Sequence, residues 1–235
     1  MVALVGVALT LLLTACHVKV QVDAKVQPDG SGTVTVAVGL DRDAVQQAGD
    51  LRAQLRVSDL EAAGWKVTGP TTGTDGYTWV RATKGFADPA GLTAVMNQVN
   101  GPDGVFKDWK VSRTSSPWSS SWTETGSIDL RKGAAAFSDP SLDRTLGGQG
   151  FDGLVAQVEH QQHESMDQLV DVRVSVEVPG ASKVYSPTFA HAADVPVHVS
   201  STRANGLLGV MVIAAGVVVV ALALLALRKR FAHHR

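Results

Sequence analysis

Residues 169–180 read LVDVRVSVEVPG. Val170, Val172, Val174, Val176 and Val178 fall on one side, and Asp171, Arg173, Ser175 and Glu177 on the other. That is a period of two, which a strand satisfies by turning alternate side chains to opposite faces. Valine, branched at Cβ, suits a pleated surface better than a helix. Pro179 and Gly180 punctuate the end of the run. One apolar face and one wet face mean that the sheet receiving this strand has one buried side.

The same alternation opens the chain. Val18, Val20, Val22, Ala24 and Val26 alternate with His17, Lys19, Gln21, Asp23 and Lys25. Pro28-Asp29-Gly30-Ser31-Gly32 is a turn cluster, and Val34, Val36, Val38 and Leu40 resume the pattern, so the spacing predicts a hairpin. Further strands are expected at Trp65–Val67 and Tyr77–Arg81. Val105–Arg113 and Trp122–Leu130 should pair across Ser115–Pro117, and Pro196–Val199 should form a short last strand.

Helix signals lie between them. Asp41 can cap a stripe of Val45, Ala48, Leu51 and Leu55, and Ser58 to Glu61 has the spacing of a capping box with Gly64 as its stop. Asp88-Pro89 opens a helix whose face is Leu92, Val95, Met96 and Val99, ended by Asn100-Gly101. Asp139-Pro140 and Asp152 start two short helical stretches. The expected fold class is α+β: one domain with a largely antiparallel sheet and helices packed on one face.

Both ends are oily. Val2–Leu13 is charge-free and has the length of a signal-peptide hydrophobic region. It runs into Leu13-Thr14-Ala15-Cys16, which resembles the bacterial lipobox. Cys16 is the single cysteine of the chain, so it can form no internal disulfide and no multi-cysteine metal site. The resemblance implies that its thiol carries a diacylglyceryl group and that cleavage falls between Ala15 and Cys16. No Lys or Arg lies in Met1–Thr10, which departs from a signal peptide's charged start, and a start upstream of Met1 would supply it.

The other apolar run, Leu207–Leu227, has 21 residues without charge. As a helix it would measure roughly 31 Å, enough to cross a bilayer. Arg228, Lys229 and Arg230 follow it and point to a cytoplasmic C-terminus. The predicted plan is therefore a lipoprotein signal peptide at 1–15 and an extracytoplasmic domain at 16–200. A linker at 201–206, a transmembrane helix at 207–227 and a basic tail at 228–235 complete it. Four of the 21 Lys and Arg lie in that tail while all 22 Asp and Glu precede it. The outer part is thus acidic, without a basic patch, and nucleic-acid binding is disfavoured.

Chemical motifs are weak. Gly148-Gln149-Gly150-Phe151-Asp152-Gly153 fits G-x-G-x-x-G but follows a helical turn rather than a strand, so helix termination accounts for it better than a dinucleotide. His160, His163, Glu164 and Asp167 could approach a zinc ion, but no further ligand is evident and a solvated face is the simpler reading. Trp118 and Trp122 flank three serines, and packing in a core competes with stacking on a ligand. Carboxylates are scattered and Gly-x-Ser-x-Gly is absent, so no catalytic residue, cofactor or metal is assigned.

Three stretches carry a resemblance to a known family: DWKVSRTSSPWSSSWTETGSIDL (108–130), AAAFSDPSLDRTLGG (134–148) and VSVEVPG (174–180). With the lipobox, outer domain and C-terminal apolar run, the chain resembles the LppM-domain lipoproteins of actinobacteria. The resemblance implies an envelope lipoprotein without enzymatic activity, whose outer domain binds membrane lipid or glycolipid. The alternative is a protein-interaction or scaffolding module that uses the sheet face or the Trp118–Trp122 region. An enzyme would need a cleft holding a cluster of perturbed titratable groups. Only Cys16 transfers as a functional residue.

Overall fold

The structure is a computed structural model, which describes residues 17–48, 57–100, 104–116, 118–131, 165–189, 194–204, 211–212 and 214. Among the described residues, nine strands and four short helices build two sheets. The valine alternation organises the larger one. Strands β1 (Val18–Val26), β2 (Gly32–Leu40), β3 (Lys66–Thr72), β4 (Thr78–Phe86), β7 (Val170–Val178) and β8 (Ala181–Tyr185) run in the order β3-β4-β2-β1-β7-β8. β1 and β7 pair in parallel and the other neighbours are antiparallel. The register sets Val36, Val22 and Val174 side by side, with Val34, Ala24 and Val176 in the next inward row. Val34, Val174 and Val176 are fully buried. On the opposite face Asp23, Lys25, Asp171, Arg173 and Glu177 are exposed, and Lys25 pairs with Glu177 at 2.9 Å.

A second, antiparallel sheet has the order β5 (Phe106–Ser115), β6 (Ser119–Asp129) and β9 (Asp194–Ala204). Strand β5 carries a bulge. Lys107 faces Ser127 and Lys110 faces Thr125, so Asp108 and Trp109 together oppose Gly126, with Asp108 at φ 53°. The extra residue changes the phase of the strand. Phe106 and Trp109, three apart, therefore both turn inward and meet edge-to-face at 5.8 Å. Trp109 lies on Gly126, where an added Cβ would come within 2.6 Å of the indole.

The helices are α1 (Arg42–Ala48), α2 (Val57–Ala62), α3 (Pro89–Asn100) and α4 (Met166–Leu169). Asp41 caps α1 through Ala44 N at 2.8 Å, and Asp88 caps α3 through Gly91 N at 2.8 Å. Leu92, Val95 and Met96, at helical spacing, bury the inner face of α3. Thr93 Oγ1 donates to Trp109 O at 2.9 Å and ties α3 to β5. One core joins both sheets and α3. The layer over the six-stranded sheet thus runs β9, β6, β5, α3, α2 from its β8 side to its β3 side.

This corrects the α+β expectation. The described fold is mostly β, and a second sheet covers much of the apolar face that helices were expected to cover. The reason lies in the β5–β6–β9 residues: Trp109, Val111, Trp122, Ile128, Val197 and Val199 give that sheet its own apolar face, and sheet-on-sheet packing buries both faces at once. Among the described residues no helix is long and apolar enough to cross a membrane, and the transmembrane expectation at 207–227 falls almost wholly outside the described residues. Of 207–227, only Met211, Val212 and Ala214 are described, as helical.

Smaller departures follow the same logic. β9 runs for 11 residues to Ala204, through residues expected to be a polar linker, because its whole length pairs with β6. It tolerates Pro196 because no further strand pairs with it in its sheet. β8 was not expected; it pairs with β7 from Ala181 onward, and its Tyr185 Oη donates to His198 O at 3.0 Å. The helical starts at Asp139 and Asp152 lie outside the described residues.

Candidate functional site

Between the six-stranded sheet and the two helices at its β3–β4 side lies an apolar cleft of about 140 Å³. Val36 and Ala82 form its floor, Leu60 of α2 and Val99 of α3 its walls, and Trp65 and Gln98 complete the lining. Local sequence explains the shape. Gly64, at φ +84°, stops α2: its amide bonds Glu61 O at 3.0 Å and Trp65 N bonds Leu60 O at 3.0 Å. Glycine adopts that backbone without strain. The reversal returns Trp65 under α2, where it is buried. Ala82 is small, so the sheet floor does not fill the space beneath α2 and α3.

Lys84 sits at the rim. Its Nζ donates to Ala63 O at 2.6 Å and to Gln98 Oε1 at 2.7 Å, joining the end of α2 to the end of α3. It lies 5.9 Å from the Trp65 ring centroid. The site is therefore apolar inside with one cation and one amide at its edge.

Two buried acids lie elsewhere. Glu124 of β6 is fully buried; Trp109 Nε1 donates to its Oε1 at 2.6 Å, while Oε2 has no partner. Burial pushes its carboxyl up to about 7, against the lowering effect of the Trp109 bond. Asp129 is the opposite case. Arg131 and Lys107 grip it, Lys107 Nζ at 2.6 Å and Arg131 Nη2 at 2.7 Å, and hold it well below the usual carboxylate range. Neither acid lines the cleft. Glu124 was missed in the sequence, yet a signal was there: it shares strand phase with Trp122 and Ile128, both buried.

Of the sites expected from sequence, Ala15 and Cys16 lie outside the described residues, as do His160, His163, Glu164 and Gly148–Gly153. His17, next to Cys16, is described: its amide donates to Asp41 Oδ2 at 2.7 Å, so the chain is already fixed to the sheet one residue after the cysteine. Trp118 and Trp122 separate. Trp122 is 1% exposed in the core, whereas Trp118 is 58% exposed at the β5–β6 turn. Among the described residues no group of three or more His, Cys, Asp or Glu is placed to hold a metal ion.

No protein-family model matches the chain, and no curated protein matches it. Among solved structures it is similar to the NMR structure of the folded domain of LppM from Mycobacterium tuberculosis, with 11% identity and a TM-score of 0.38. That likeness covers 81% of this chain and 92% of the other. At that score and identity it does not establish membership of the LppM family and carries no weight for function.

Proposed function

We propose that this chain is a cell-envelope lipoprotein without catalytic activity, lipid-anchored through Cys16, whose β-rich domain takes an apolar chain of membrane lipid into the cleft under α2 and α3. The cleft is the observation that carries the reading: an apolar cavity on the helix side of the sheet, lined by Val36, Leu60, Trp65, Ala82 and Val99. Apolar walls with few polar groups are the usual character of a small-molecule site. The lipobox-like Leu13–Cys16 supports the location, since two or more acyl chains hold a protein stably on a membrane. His17 begins the sheet's first contact network, so an anchor at Cys16 keeps the domain against the bilayer without an intervening tether.

A photoactivatable, clickable fatty acid fed to cells making the full chain tests both halves. Cross-links on peptides containing Leu60–Trp65 or Gln98–Val99 are expected, and cross-links confined to other surfaces overturn the cleft reading. Replacing Cys16 by Ser should abolish labelling by an alkynyl fatty acid at the N-terminus; labelling that persists would place the anchor elsewhere.

Trp118 favours a second reading, a protein-interaction module. It is a large exposed aromatic on a hairpin tip rich in serine, a type of residue that anchors interfaces. A photo-cross-linker placed at position 118 that captures one dominant protein in cells, with no lipid on the cleft peptides, would favour it.

A further inference from the structure

Among the described residues the rim of the cleft carries a cation whose partners are neutral. Lys84 spends two donors on neutral acceptors, Ala63 O and Gln98 Oε1. An ammonium has three N–H groups and no acceptor. No ion pair between described side chains includes it. Because Gln98 accepts from Lys84 through Oε1, its amide NH₂ remains a second donor beside the cleft that Gln98 itself lines. A half-buried cation beside apolar walls, with an amide donor next to it, suits an anion that brings its own hydrocarbon.

Volume narrows the class further. About 140 Å³ is well short of a whole two-chain lipid, and below the roughly 300–1,000 Å³ of pockets that enclose drug-sized ligands. It is close to an engineered apolar cavity of about 150 Å³ that holds one benzene. The space takes the end of one hydrocarbon chain.

We propose that the cleft selects a single-chain amphiphile with a carboxylate head, its chain against Val36, Leu60, Trp65 and Val99 and its head on Lys84 and the Gln98 amide. The two donors match the two oxygens of a carboxylate. This deepens the lipid-cleft reading and rests on it.

The test offers the full-length, delipidated protein an equimolar mixture of dodecanoate and dodecanol in non-ionic detergent at pH 8, read by native mass spectrometry. The two probes share a chain and differ in the head. A charge-assisted hydrogen bond should favour the acid about tenfold or more. Lys84→Met should reduce that preference to near unity, and Lys84→Arg, which keeps the charge, should retain it. Ala82→Leu, which fills the floor, should weaken both probes alike. Equal binding of acid and alcohol to the wild type overturns the head assignment while leaving the cleft reading in place. A preference that survives in Lys84→Met overturns it too, by placing the head elsewhere. Binding of neither probe overturns the cleft reading and this proposal together.

Discussion

The two halves of the layer over the six-stranded sheet are packed on different terms. On the β7–β8 side the second sheet supplies Trp122, Ile128, Val197 and Val199, and these buried side chains close over the strands below. On the β3–β4 side α2 and α3 meet a floor of Val36 and Ala82 and leave a cavity. Both halves rest on the same kind of apolar strand face. What differs is the covering element. A sheet presents regularly spaced side chains that interdigitate with those below, whereas two separate helices touch the floor along narrow stripes and leave space where a small residue lies between them. The closed half buries the larger side chains, and the half-open one holds the cleft proposed as the ligand site.

Truncating the closed half should be the most damaging change. Trp122→Ala removes a ring that is 1% exposed and carries the Arg113 guanidinium 4.9 Å from its centroid. A loss of about 3–5 kcal/mol in denaturant unfolding is expected. A loss under about 1 kcal/mol would mean that the two sheets are not tightly joined.

The next largest effect is electrostatic and belongs to the same half. A carboxyl whose pKa is higher folded than unfolded contributes fully below its ordinary value of 4.5 and loses that contribution as pH rises through about 7. Glu124 should therefore cost the fold on the order of 3 kcal/mol between pH 4.5 and pH 8. Glu124→Gln should flatten that part of the stability profile. A wild-type profile without a fall between those limits would show that Glu124 finds a partner in solution.

A matched pair then compares the halves directly. Val174→Ala, at a fully buried position in the closed half, should cost about 2 kcal/mol. Val36→Ala, on the cleft floor, should cost less than about 1 kcal/mol, since it enlarges a space that already exists. Equal costs would erase the distinction. The smallest effect is expected at Trp118, where exposure leaves little to lose: Trp118→Ser should stay within about 0.5 kcal/mol of the wild type.

Much of this architecture is legible in the chain. The alternation at 18–26, 32–40 and 170–178 gives three neighbouring strands of one sheet with their faces assigned. Asp88-Pro89 and the Leu92, Val95, Met96 stripe give α3, and Gly64 gives the reversal that brings Trp65 beneath α2. Less legible is what depends on partners. β8 has only Tyr185 buried among five residues, a pattern too thin to announce a strand. β9 looks like a linker because Ser200, Ser201, Thr202 and Arg203 are polar, and they are strand because Ser119–Thr123 pairs with Ser200–Ala204.

By itself, then, the sequence determined the strands with strict alternation, the capped helix and the two oily ends, because those depend on periodicity and local backbone preference. Only the tertiary structure decided that β5, β6 and β9 separate into a second sheet, that Glu124 is shut inside, and that Lys84 meets Gln98 at the mouth of a cleft. Each of those depends on residues distant in the chain filling, or failing to fill, the same volume. Such filling is a property of packed surfaces that no local pattern encodes.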